Sequence, residues 1–185
     1  MVEKSLITNG IDEFARTERT HLVPISAVDK ELYFSIITAA LGETDERLTD
    51  LQQAEIWKLA MSPDAATFMV WDNCTGDCVG YCQYKCLKTS NIEIGIELRK
   101  EYQGVGYGYE ICTSFCEKFF ELTDVKSLFY CVAKDNERSI RLAKKLNGEF
   151  AGYALMAADF DELLEDKRSL QEQFSIVIFE IKRPK

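Results

Sequence analysis

The chain has 185 residues, 46% hydrophobic and 29% charged, a balance that suits one globular domain and excludes extended disorder. Its 31 acidic residues against 22 basic ones give a formal net charge of −9, so its surface repels nucleic acid, whose binding rests on phosphate neutralisation, and favours cationic partners. The opening MVEKSLITNG lacks a basic region followed by an apolar run, and the longest mostly apolar stretch, residues 32–41, is too short to cross a bilayer; a cytoplasmic protein with no membrane partner is expected.

Residues 20–25 alternate as a short strand, and residues 26–41 read as a helix with Ser26 or Asp29 near its N-cap. A second helix is predicted over residues 49–61, with Leu51, Ala54, Ile56, Trp57 and Ala60 available to its buried face. Strands over residues 67–72 and 78–87 flank Asn73-Cys74-Thr75-Gly76-Asp77, which suits a hairpin turn. Residues 91–98 alternate cleanly: Ile92, Ile94, Ile96 and Leu98 face one way, Glu93, Gly95 and Glu97 the other. A glycine-rich turn leads into a helix over residues 106–122, and residues 127–133 form a β-branched and aromatic strand. Residues 136–146 read as a helix ending near Gly148, residues 149–156 as a strand, 159–172 as a helix and 174–181 as a last strand. Hairpin-length connections among mixed elements indicate an α+β fold on a mixed sheet.

Seven cysteines in a chain without an export signal imply reduced thiols. Cys74, Cys78, Cys82 and Cys86 recur at every fourth position, which raises the question of a metal. No tight C-x-x-C knuckle accompanies them and His21 is the sole histidine, so packed thiols are expected and no metal.

The segment with the most chemistry in it is IEIGIELRKEYQGVGYGYEICTSF. A strand runs into Gln103-Gly104-Val105-Gly106-Tyr107-Gly108 and a helix follows at once. Glycine lets a backbone approach a ligand closely, and amides at a helix N-terminus favour an anion. These are the physical requirements of a diphosphate cradle, although a plain strand-to-helix turn would use the same glycines. The Gly-Lys-Ser/Thr ending of a P-loop is missing, and Tyr109 stands where a dinucleotide fingerprint has its third glycine.

Gln103 through Gly108 resembles the Gln/Arg-x-x-Gly-x-Gly/Ala motif of the GNAT acetyltransferases. Asn136-Glu137-Arg138-Ser139, followed by Lys145 through Phe150, resembles their second motif, Asn-x-x-Ser on a helix ending in Gly and Phe. TERTHLVPISAVDKELYFSII is also similar to the start of the branch that acetylates ribosomal-protein N-termini and of its small-amine relatives. The resemblance implies a mixed, mostly antiparallel central sheet, splayed in the middle and flanked by helices, with acetyl-coenzyme A in the gap. It implies a single domain over residues 1–185, with a homodimer left open. It implies that backbone groups of Ile96, Glu97 and Leu98 bond the pantetheine arm, that amides of Gln103, Gly104, Val105, Gly106, Tyr107 and Gly108 hold the diphosphate, and that Asn136 and Ser139 face the cofactor. For Asn136, helix N-capping is the competing role.

Acetyl transfer needs a neutral amine, and an alkylamine of pKa about 10.4 is almost wholly protonated at neutral pH, so a carboxylate must accept a proton. Glu93 is the first candidate, where the resembled branch places a glutamate, and Glu97 on the same strand face the second; both also suit a solvent-facing strand. A backbone N–H such as that of Glu97 would stabilise the oxyanion. Many GNAT enzymes carry a general-acid tyrosine four residues after the motif serine. This chain has Ala143 there, leaving Tyr109 or Tyr153 to serve, or no acid at all. Arg138, Arg141 and Lys145 share a helix face and, along with Arg99 and Lys100, supply positive charge that is either solvated or, for one or two of them, set to neutralise the ribose phosphate. The expected acceptor is a primary amine, as a small molecule or a peptide N-terminus. The alternative is an acyl-coenzyme A binding module without turnover.

Overall fold

A computed structural model describes residues 1–41, 48–154 and 175–184. Eight strands form one sheet: β1 (Ala15–Arg16), β2 (Thr20–Pro24), β3 (Ala65–Asp72), β4 (Cys78–Lys85), β5 (Glu93–Leu98), β6 (Ser127–Ala133), β7 (Glu149–Ala154) and β8 (Ile176–Lys182). Their order is β1-β2-β3-β4-β5-β6-β8-β7. Every neighbouring pair is antiparallel except β5 and β6, which run parallel. The α-helices among the described residues are α1 (Lys4–Thr8), α2 (Lys30–Leu41), α3 (Asp50–Met61), α4 (Tyr107–Leu122) and α5 (Glu137–Lys145). This is the α+β, mostly antiparallel sheet that the sequence implied.

Local signals set most of the boundaries. Ser26 and Asp29 form a reciprocal capping box, with Asp29 Oδ2 accepting from the Ser26 amide at 2.8 Å, and one turn of 3-10 helix leads into α2. Thr49 and Gln52 cap α3 in the same way. Asn136 caps α5, its Oδ1 accepting from the Ser139 amide at 3.1 Å. At the other end of α5, Asn147 takes the left-handed conformation, and the Gly148 amide donates to the Ala143 carbonyl at 2.9 Å.

Each face of the sheet carries its own core. On one face α4 buries Ile111, Cys112, Phe115, Cys116, Phe119 and Phe120, a spacing that puts all six on one side of a helix. Tyr84 stacks on Phe115 with ring centroids 3.9 Å apart and donates its hydroxyl to the Phe115 carbonyl at 2.6 Å. On the other face, Tyr33, Phe34 and Ile36 of α2 and Ala60 of α3 pack with Met69, Cys78, Trp57 and Tyr81. A bulge in β4 sets Val70 against Gly80 and Trp71 against Cys78, so Cys78 and Cys82 enter opposite cores.

Some expectations are corrected. Leu51 is 75% exposed and Ala54 is exposed as well, so α3 buries only Ala60 fully, with Ile56 and Trp57 half-buried. Cys86 lies beyond the end of β4 at φ +58° and is not a strand residue. The short elements α1 and β1 were not foreseen: each is too brief to show a period. The helix expected over 159–172 lies outside the described residues, as do the end of the strand expected over 149–156 and the start of the one expected over 174–181. Among the described residues no helix is long and apolar enough to cross a membrane, and no three His, Cys, Asp or Glu side chains converge as metal ligands.

Candidate active site

β5 and β6 share two register pairs, Glu93 with Phe129 and Ile94 with Tyr130. Past Ile94 the pairing stops, and a cleft of about 230 Å³ opens, with Tyr81, Glu93, Glu97, Tyr130, Asn136 and Ser139 among its walls. Two backbone bonds fix which groups look into it. The Phe129 amide donates to the Ile92 carbonyl at 2.8 Å, and the Arg99 amide to the Val79 carbonyl at 2.9 Å. Strand residues alternate in the edge they address, so Ile92, Ile94, Ile96 and Leu98 address β6, while Glu93, Gly95 and Glu97 address β4. Glu97 accordingly pairs with Tyr81, and its backbone N–H is turned away from the gap. The Leu98 carbonyl accepts from Gln103 Nε2 at 2.7 Å. Of these three residues, Ile96 is the one whose N–H and carbonyl face the gap without a protein partner among the described residues.

Side chains sort by sheet face. Glu97 lies opposite Tyr81, which packs beneath Tyr33 of α2 with ring centroids 4.7 Å apart. Ile94 and Tyr130 belong to the opposite core, under α4. The cleft therefore joins an acidic, tyrosine-walled side to the side that carries α4 and α5.

Burial raises the Glu97 carboxyl above the ordinary glutamate value, against a smaller opposing effect of the Leu98 amide. The thiol of Cys131 is pushed up to about 12, by burial first and by the Glu93 charge second. That thiol is held protonated and is no nucleophile at neutral pH. Tyr130 is buried on the cleft wall, and burial raises its pKa against a smaller opposing effect of Ser139, so it stays a neutral donor. Ala143 is 0% exposed: the position of the family tyrosine points into the core. Tyr109 and Tyr153 are 46% and 47% exposed, and neither lines the cleft. Tyr130 and Tyr81 were missed from the sequence. Their strands alternate clearly, but the pattern does not say which residues flank a splay.

In the loop between β5 and α4, Gly104 and Gly106 take φ +77° and +95°, conformations that only glycine adopts without strain. A Cβ on Gly104 would meet open space, so the loop surface there is clear. Among the described residues, the amides from Gly104 to Tyr109 donate to no protein group. Unpaired amides at the start of α4 fit the phosphate groups of a coenzyme A. Gly108 packs where its Cβ would sit 3.6 Å from Leu142 and 3.7 Å from Leu98, closing helix against strand. Arg138 Nη1 donates to Gln103 Oε1 at 2.8 Å, which ties α5 to the loop. Arg141 pairs instead with Glu137 on its own helix, at 2.9 Å. Asn136 and Ser139 both reach the cleft wall, Asn136 while also serving as the cap of α5.

The sequence model described as an acetyltransferase (GNAT) domain matches residues 19–149. The chain belongs to the GNAT acetyltransferase family. It is accordingly an acetyl-coenzyme A-dependent N-acetyltransferase. No curated protein matches the sequence significantly. Solved structures share the fold at low identity. A spermidine N-acetyltransferase from Vibrio cholerae, in complex with CoA and spermine, superposes with a TM-score of 0.66 at 13% identity, over 90% of this chain and 96% of that one. A domain from Methanocaldococcus jannaschii gives 0.68 at 18% identity, over 91% and 99% of the two chains. A GNAT-family structure from Chromobacterium violaceum gives 0.69 at 15% identity, over 95% and 88%.

Proposed function

We propose that this GNAT acetyltransferase, acting as a single domain, acetylates a cationic primary amine by direct attack in a ternary complex, with Glu97 as the proton acceptor. The observation that carries the reading is the meeting, in one cleft, of a carboxyl raised by burial with the open backbone of Ile96. Acetyl-coenzyme A supplies the acetyl group as a thioester. The Gly104–Gly108 amides hold its phosphates, and the Ile96 carbonyl and N–H orient the arm and stabilise the oxyanion. The acceptor enters from the side of Tyr81 and Tyr33, where the Glu93 and Glu97 carboxylates attract it. Glu97 Oε takes the ammonium proton, and a raised pKa suits a base that must act near neutrality. Tyr130 Oη, on the cleft wall beside Ser139, serves the departing sulfur as a neutral donor.

A small polyamine fits the acidic side, and the V. cholerae spermidine N-acetyltransferase offers a fold-level parallel. A peptide N-terminus is the competing acceptor. Thiol release from acetyl-coenzyme A, measured against polyamines, simple amines, aminoglycosides and peptides, tests the reading. Cationic amines should be the best acceptors, with KM rising with ionic strength. A neutral or anionic best acceptor with salt-independent kinetics would overturn it.

A further inference from the structure

Arg19, in the segment Thr17-Glu18-Arg19-Thr20, lies 86 residues before Val105 of the glycine-rich loop, yet it lies against that loop. Its Nη1 donates to the Val105 carbonyl at 3.1 Å. Its guanidinium carbon lies 4.1 Å from the centroid of the Tyr107 ring. A Cβ on Gly106 would sit 3.3 Å from its Nη2. The same guanidinium grips Glu110 in the first turn of α4, with Nε donating to Oε2 at 2.6 Å, while the Arg19 amide donates to Oε1 at 3.0 Å. The far side is braced in turn. Tyr107 Oη donates to Asp72 Oδ2 at 2.7 Å, and Asp72 Oδ1 accepts from the amides of Cys74 and Thr75 at 2.8 and 2.9 Å. The Asn73 amide closes the circuit on the Arg19 carbonyl at 2.7 Å.

Glu110 is the odd member of this arrangement. A carboxylate one turn from the amides that receive a diphosphate repels it, and an unpaired Glu110 would undo part of what those amides gain. We propose that Arg19 is a positioning residue of the cofactor cradle: it cancels the Glu110 charge beside the phosphates and holds the Val105 carbonyl back, so that the neighbouring amides face the ligand. The proposal rests on the reading of the Gly104–Gly108 loop as the diphosphate site. It assigns a role to the TERT segment that the reaction itself leaves unexplained.

The test compares CoA, which carries the diphosphate, with S-acetylpantetheine, which lacks it. Dissociation constants for CoA come from calorimetry and KM for S-acetylpantetheine from thiol release, with melting curves run in parallel. Arg19→Ala should weaken CoA about tenfold, the effect of a like charge at a distance of roughly one helical turn in a partly screened site. It should leave the KM for S-acetylpantetheine within about twofold, because charge and brace act on the phosphates alone. Adding Glu110→Gln to Arg19→Ala should recover most of the lost CoA affinity, and Arg19→Lys, which keeps the charge without the fork, should fall between. Wild-type CoA affinity in Arg19→Ala, an equal loss for both ligands, or no recovery in the double variant would overturn the proposal. If the wild-type protein binds CoA no better than pantetheine, the assignment of the loop itself falls, and the proposal with it.

Discussion

Gly106→Val puts the cofactor loop to a quantitative test. Gly106 caps α4 at φ +95°, and a Cβ there would stand 3.3 Å from Arg19 Nη2. An L-residue in left-handed backbone costs about 1–2 kcal/mol, and a β-branched one more. Stability of a domain this size is roughly 5–15 kcal/mol, so the variant should fold, with a melting temperature lower by about 2–8 °C. The loop can relieve the strain only by turning Gly106 toward negative φ, which reorients the adjacent amides. Hydrogen bonds to charged groups contribute about 1.5–3 kcal/mol each, so losing two would weaken CoA by roughly 10²- to 10⁴-fold. Calorimetric titration of CoA, beside a melting curve, measures both effects. Wild-type affinity in a folded Gly106→Val protein would refute the diphosphate assignment.

Other consequences follow from named contacts. A Cβ on Gly80 would lie 2.1 Å from the Glu97 carbonyl oxygen and 2.9 Å from Leu98 Cα, so Gly80→Ala must force β4 from β5 and should cost about 1–3 kcal/mol in chemical denaturation; an unchanged midpoint would count against the register. Tyr130→Phe removes the cleft hydroxyl and keeps the ring, and should lower kcat about ten- to a hundredfold while CoA affinity holds; unchanged kcat would return the departing thiolate to solvent. For Glu110, burial raises the pKa, but hydrogen bonds from Thr17 and Arg19 and the Arg19 charge outweigh it and leave the pKa below the usual 4.5. A lowered folded value adds stability above 4.5 that is lost as pH falls through the folded value, so acid melting should be less steep in Arg19→Ala than in wild type. Identical acid profiles would remove Glu110 from the ledger of acid-sensitive groups.

How much was legible depends on the kind of signal. The period-two run Ile92–Leu98, the capping residues Ser26, Thr49 and Asn136, and the glycines at 104 and 106 are local facts, and they gave strands, helix starts and the loop. Three other features are non-local. The splay between β5 and β6 depends on which strands become neighbours. The pairing of Glu97 with Tyr81, which turns its N–H from the gap and leaves Ile96 open, depends on a register that a strand pattern cannot contain. Arg19 reaches the loop through a turn distant in sequence, and no charge pattern near the glycines announces it. The missing family tyrosine at Ala143 was visible, but the proposal of Tyr130 in its place needed the fold, because a buried aromatic on an alternating strand reads as core.

The most direct measurement of the central claim is the pH dependence of kcat/KM for the best amine acceptor, in wild type, Glu97→Gln and Glu93→Gln. Wild type should show an acidic limb set by the raised carboxyl of Glu97, above the ordinary value of 4.5, and a separate alkaline limb set by the amine, near pH ~10. Glu97→Gln should lose the acidic limb and about 10²- to 10⁴-fold in kcat, with CoA affinity nearly intact. Glu93→Gln should keep the limb and weaken the acceptor KM by a smaller factor. Full turnover with an unshifted acidic limb in Glu97→Gln, and their loss in Glu93→Gln, would contradict the account and move the base to the paired end of the cleft.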